Sequence, residues 1–273
     1  MTAAALPYLA ILRARFALML QYRAAALAGF ATQCWWGVIK IMVLAAFYAG
    51  AAPQPISLAQ AITYTWLGQA FLALLPWNAD PEISEAVESG NVAYERLRPV
   101  DTHTFWFARA AAQRAANTLL RLMPMFLTAA VALPLLGLGA WSWRLPASPM
   151  AAALFAVSIT LTVLLSSGFV VLLNIAVTAL KTRRAANLAP FLVTPLSGNI
   201  VPLALLPPWA QPFLFWQPFA GLGDIPYRIY FGNLSGDAAL WGLAAQALWV
   251  VLFIAIGRAC MRRVMARVDM QGS

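Results

Sequence analysis

Residues 150–180 read MAAALFAVSITLTVLLSSGFVVLLNIAVTAL, a stretch without Asp, Glu, Lys, Arg, His or Pro. As a helix rising about 1.5 Å per residue, it is longer than the roughly 30 Å needed to cross the hydrocarbon of a bilayer. The rest of the chain repeats the pattern. Further apolar runs cover approximately 24–49, 57–77, 117–139, 188–206 and 238–257. With 62% hydrophobic and 10% charged residues among 273, and a mean hydropathy of +0.75, there is too little polar material to cover a water-soluble core. The fold class read from these runs is all-α and polytopic, six transmembrane helices in a single domain, 1–273.

The inventory excludes several chemistries. Cys34 and Cys260 stand alone in or beside different apolar runs, and with the single His103 they give neither a disulfide framework nor a metal-ligand set. The only lysines, Lys40 and Lys181, follow Ile39 and Leu180, so no Gly-Lys-Ser/Thr phosphate loop exists. No Gly-x-Ser-x-Gly elbow occurs, and His103 is placed in a charged loop. The net charge of +9 comes from bases lying between apolar runs, where they set membrane orientation; no nucleic-acid partner is implied.

An even number of spans puts both termini on one side. That side carries fifteen Lys and Arg, against Arg144 and Arg228 on the other, which predicts cytoplasmic termini. Residues 5–23 mix Leu, Ile, Phe and Met with spaced Arg, as in a helix lying in the cytoplasmic headgroup region. Trp141, Trp143, Trp209 and Trp216 follow the third and fifth spans, where aromatic rings favour the outer interface. Between them and the last span, residues 207–237 are apolar but broken by five prolines, predicting short re-entrant outer helices. Asp224 and Arg228 are four apart there and read as an exposed pair of little weight. Lys40, sixteen residues into the first span, lies within snorkelling reach of the outer interface.

Six of the nine acids fall between residues 80 and 101. Asp80-Pro81 reads as an N-cap with proline at the first helical position, and Gly90-Asn91 as the stop. Within that helix Ile83, Ala86 and Val87 share an apolar face, while Glu82, Glu85 and Glu88 form an acidic side. ESGNVAYERLRPVD follows as residues 88–101, with Pro99 disfavouring helix at Arg98.

This acidic-glycine and then Leu-Arg-Pro loop resembles that of permease subunits of bacterial type-2 ABC exporters, in particular the small six-span permeases that pair with a separate ATPase and often a second permease. The resemblance extends over the N-terminal interface helix, the six spans and the broken segment before the last. It implies that residues 80–101 form a cytoplasmic coupling helix seated on an ABC ATPase dimer. Glu85, Glu88, Gly90, Asn91, Tyr94, Arg96, Leu97, Arg98 and Pro99 would be the contact and hinge residues. It also implies location in the bacterial inner membrane among its lipids, ATP and Mg in the partner ATPase with no cofactor on this chain, and a second permease, usually non-identical. The fifth run is the most broken, with Pro190, Thr194, Pro195, Ser197, Gly198, Asn199 and Pro202. By the resemblance it faces the second span across the dimer, so that Thr63, Tyr64, Trp66, Gln69, Phe71, Phe191, Thr194, Pro195 and Asn199 would line the translocation path. Two rivals are weighed. An ion-coupled secondary transporter needs intramembrane acids or histidine, and all nine acids and His103 fall outside the six runs. A membrane-embedded lipid- or glycan-modifying enzyme could use only Asp101 and His103 as acid and base, a spacing too common to carry it.

Overall fold

The computed structural model describes residues 6–21, 23–50, 54–97, 99–184 and 186–269. Among the described residues every regular element is helical. In chain order they are α1 (Leu6–Gln21), α2 (Arg23–Gly50), α3 (Leu58–Ala70), α4 (Pro81–Glu88), α5 (Thr102–Phe126), α6 (Leu133–Leu135), α7 (Pro149–Leu180), α8 (Ala189–Leu196), α9 (Gln211–Trp216), α10 (Asp224–Tyr230) and α11 (Gly236–Asp269). Short 3-10 segments join many of them.

Four helical stretches among the described residues are long and apolar enough to cross a membrane: Leu27–Gly50, Thr102–Leu135, Pro149–Leu180 and Gly236–Ala266. The first, fourth and sixth apolar runs thus appear as α2, α7 and α11. The other three runs need correction. The third span starts at Thr102 rather than near 117, because Asp101 accepts from the Thr104 amide at 2.8 Å and caps the helix there. His103, Arg109 and Arg114 therefore lie on a helix and not in a loop. That helix contains Pro124 and continues through π-helical turns at Leu127–Ala132 into α6, with the Leu133 amide bonded to Thr128. The wider turns give room for Pro134, whose ring would crowd the preceding turn of a regular helix. The second run yields only the 13 residues of α3 and a 3-10 turn at Leu72–Leu74. The fifth yields the eight residues of α8, ending at Ser197 before a turn and a 3-10 segment at Leu203–Leu205.

α3 sits at the centre. Every residue from Ala61 to Phe71 is buried, packed with Ile41 of α2, Met125 of α5, Trp143, and Tyr227 and Tyr230 of α10. Trp66 donates to the Trp141 carbonyl at 2.8 Å, and Trp143 donates to the Tyr230 hydroxyl at 2.8 Å. Trp143 is thus a core residue rather than an interface anchor, whereas Trp209 is exposed. α11 packs most extensively along α7, and α1 lies along α5. The proline-rich segment forms short helices as the sequence predicts, and α10 is buried almost throughout. Asp224 is not part of an exposed pair. Its carboxylate is buried and accepts from the Leu203 amide at 3.1 Å and the Tyr64 hydroxyl at 3.3 Å, with Arg228 at 3.5 Å. It pins α10 to α3 and to the 3-10 segment, which satisfies polar groups that hydrocarbon could not.

Candidate functional site: a clamped helix and its exposed flank

α4 begins where the sequence places it. Asp80 accepts from the Glu82 amide at 3.0 Å, Pro81 is the first helical residue, and Ser84 bonds back to the Asp80 carbonyl. After Ser89 the chain turns at Gly90, whose φ of +77° lies in the left-handed region that favours glycine. It then enters a 3-10 turn at Asn91–Leu97. The apolar side is the mounting: Ile83 of α4 and Val92 of the turn pack with Trp106 of α5, Val171 and Ile175 of α7, and Met261 and Met265 of α11. One short element therefore rests on three long helices.

Polar contacts fix α4 at both ends. At its start, Arg109 of α5 donates twice to Asp80, at 2.8 Å each, with both side chains under a tenth exposed. Arg109 also meets Glu82 at 2.8 Å, and Arg15 of α1 donates to both Glu82 oxygens at 2.6 Å. The Arg15 hydrogen bond, with Arg109 alongside, holds the Glu82 carboxyl down at about 2. The Asp80 amide donates to Asn174 of α7 at 2.8 Å, so that residue holds the neighbouring segment as a lone intramembrane amide should. At the far end, Arg183, just past α7, donates to both Glu88 oxygens at 2.7 and 2.9 Å, in a half-exposed pair.

The acidic side is thus largely spent within the chain. Glu82 and Glu88 are clamp residues, and Glu85 alone of the three has no ion-pair partner among the described residues. Glu88, expected as a contact or hinge residue, is thus also held within the chain. Spacing shows an acidic stripe, but it does not show that Arg15, Arg109 and Arg183, distant in sequence, converge on it. The outward surface includes Glu85, Ser89, Gly90, Asn91, Ala93, Tyr94, Leu97 and Pro99. Tyr94 is 66% and Leu97 77% exposed. Arg98 lies outside the described residues, and Arg96 is on the 3-10 turn.

The side chains assigned to a path are dispersed. Thr63, Tyr64, Trp66, Gln69 and Phe71 are enclosed within this chain; Thr63 accepts from the Arg144 amide at 3.0 Å, and Phe71 stands edge-on to Phe155 at 5.7 Å. Phe191 is 76% exposed on the opposite side of its helix from buried Val193, Pro195 is exposed and Thr194 half-buried. Asn199 alone links the two groups. Its amide nitrogen reaches the Gly68 carbonyl at 3.5 Å, and Lys40 donates to its backbone carbonyl at 2.8 Å and its side-chain oxygen at 3.3 Å. Lys40 therefore does not snorkel; it fastens α2 to the break after α8. Asp101 is occupied as the α5 cap, receiving the Thr104 amide and hydroxyl, and His103 is buried, so neither is poised as an acid–base pair.

No curated protein and no solved structure matches this chain. Residues 36–272 match the family model described as ABC-2 family transporter protein.

Proposed function

The chain belongs to the ABC-2 family transporter proteins, a membrane permease of an ABC transporter and not itself an enzyme, and from that membership and the mounting of α4 we propose that it couples to a separate ATPase through residues 80–101. The observation that carries this reading is the contrast between the two faces of α4 and its following turn. One face is locked onto α1, α5, α7 and α11; the other presents Glu85, Gly90, Asn91, Tyr94 and Leu97 without cover from the described residues. A docking element must be stiff toward the spans and open toward its partner, with apolar anchors ringed by polar groups. In this reading ATP and Mg bind the ATPase, and closure of its dimer pushes α4 against the three long helices.

The same reading has the permease export its cargo from the inner membrane of a bacterium, with both termini cytoplasmic and α1 at the headgroup level. Pairing with a second permease is supported by α2 and α8, which leave Trp35, Trp36, Phe47, Phe191 and Leu192 uncovered on the side where Lys40 and Asn199 join them. The path would lie along that face, lined from α8 by Phe191, Thr194, Pro195 and Asn199, with Thr63, Tyr64, Trp66, Gln69 and Phe71 backing it from α3.

The test is gentle purification of the tagged chain from its own membranes, as wild type and as Tyr94→Ala with Leu97→Ala. The expected result is that an ABC ATPase co-purifies with wild type and at least tenfold less with the variant, while the amount of chain in the membrane is unchanged. Equal ATPase recovery with both would refute docking at this surface.

A further inference from the structure

Beside the clamp, a cleft of about 340 Å³ opens between the Leu72–Pro81 connection and α5. It is near the lower end of ligand-site volumes and large enough for a headgroup. Gln113, Arg114, Asn117 and Arg121 line it from one side, at spacings that place them on one face of α5. Trp77 and Asn78 line it from the other.

The chemistry of this lining is one-sided. Arg114 donates to the Ala73 and Leu75 carbonyls, at 2.6 and 3.0 Å, which uses hydrogens without neutralising its charge. Arg121 has no acidic partner among the described residues; its guanidinium lies against α2 at Gly29, where a Cβ would stand 3.3 Å from it. The Trp77 indole N–H is buried with no acceptor among the described residues. Asp80 is the only carboxylate in the lining, and Arg109 engages both of its oxygens. Two cationic side chains and Trp77, with its buried indole donor, therefore line a space that supplies no free anion. Uncompensated charge on a span is retained where it has work to do, and arginine forks suit phosphate oxygens. Since α5 belongs to a helical stretch, Thr102–Leu135, long and apolar enough to cross a membrane, a molecule entering from the leaflet brings hydrocarbon with it.

We propose that this cleft binds an anionic phosphate group, carried as the headgroup of an amphiphile. The site is read from this chain alone and stands independently of ATPase docking. The test uses the full chain in detergent, with native mass spectrometry counting bound dioleoylphosphatidylglycerol, dioleoylglycerol or inorganic phosphate. One phosphatidylglycerol should saturate the wild type and dioleoylglycerol should not bind. Arg121→Gln should weaken the lipid at least tenfold and Arg121→Lys recover part of the loss. Trp77→Phe, which keeps the ring and removes the donor, should weaken it about threefold or more, and gives a second reading if Arg121→Gln fails to fold. Displacement of the lipid by millimolar phosphate would support the site and assign it to the free anion; failure to displace would assign it to the lipid. Equal retention by wild type, Arg121→Gln and Trp77→Phe, or equal binding of dioleoylglycerol, would overturn the proposal.

Discussion

Replacing Asp80 by Ala removes the acid that holds the start of α4. The magnitude follows from three contacts. Asp80 and Arg109 form a two-bond pair at 2.8 Å with side-chain exposures of 6% and 8%, and removing one member of a buried pair costs about 3–5 kcal/mol because the other charge is stranded. Arg109 would keep Glu82 at 2.8 Å, a carboxylate that is 58% exposed, which argues for the low end, about 3 kcal/mol. The lost cap on the Glu82 amide adds about 1 kcal/mol. The sum, about 4 kcal/mol, corresponds to roughly a thousandfold rise in the population with α4 lifted. Ser84 is only 2% exposed beneath the helix, so a cysteine placed there reports lifting through its maleimide labelling rate, in a background with Cys34 and Cys260 replaced by Ala. Labelling should accelerate by about three orders of magnitude in Asp80→Ala. Arg109→Met combined with Asp80→Asn should return most of the protection, since no buried charge is then left without its partner. A labelling change of less than tenfold in Asp80→Ala would refute the buried-pair argument.

Three further outcomes are expected. Glu88→Arg should reduce transport by turning the Arg183 contact repulsive, at a stability cost of only about 1 kcal/mol for so exposed a pair, and the exchanged pair Glu88→Arg with Arg183→Glu should restore it; no rescue in a transport assay would assign Glu88 to the partner instead. Gly90→Val should cost about 1–2 kcal/mol through its left-handed φ alone, because nothing lies within 4 Å of a Cβ at that position; thermal unfolding in detergent, compared with Gly50→Val, measures it. Glu82 titrates below the ordinary carboxylate value of 4.5, at about 2, so its clamp is fully present above pH 4.5 and is lost as pH falls toward about 2; Ser84→Cys labelling, read with an acid-tolerant thiol reagent, should rise across that window, and Glu82→Gln should flatten the rise.

The long apolar runs were legible because an uninterrupted run of one kind predicts its own conformation, as in α2, α7 and α11. The start of α4 was equally legible, since cap, proline and glycine act locally. What could not be read was where apolar length fails to produce a straight span. Residues 57–77 and 188–206 have the composition of spans, yet the first stops at Ala70, and Pro195 with Gly198 limits the second to α8. Conversely, the arginines at 109 and 114 made the first half of α5 look like a loop, and Arg121 stands inside the run read as the third span. Each is accommodated by a feature distant in sequence: Asp80, the Ala73 and Leu75 carbonyls, and Gly29. Periodicity carries no information about such pairings. The same holds for Asp224 and Lys40, which looked peripheral and instead fasten α10 and α2 to the centre. Of the surface proposed for docking, the exposed turn was foreseeable, whereas the internal use of Glu82 and Glu88 was not.

The two ends of α4 are fastened by bonds of different kinds, and this makes the element a lever rather than a rigid peg. Its Asp80 end is sheltered from counterions, while its Glu88 end is held by a half-exposed pair that dissolved salt weakens. A push on the surface near Gly90 would therefore swing the helix about Asp80, and the longest displacement would fall on Arg183, at the mouth of the segment leading into α8. Ionic strength then sets the stiffness of the latch without touching the pivot, so salt should tune how far α4 can swing and leave its seating at Asp80 intact.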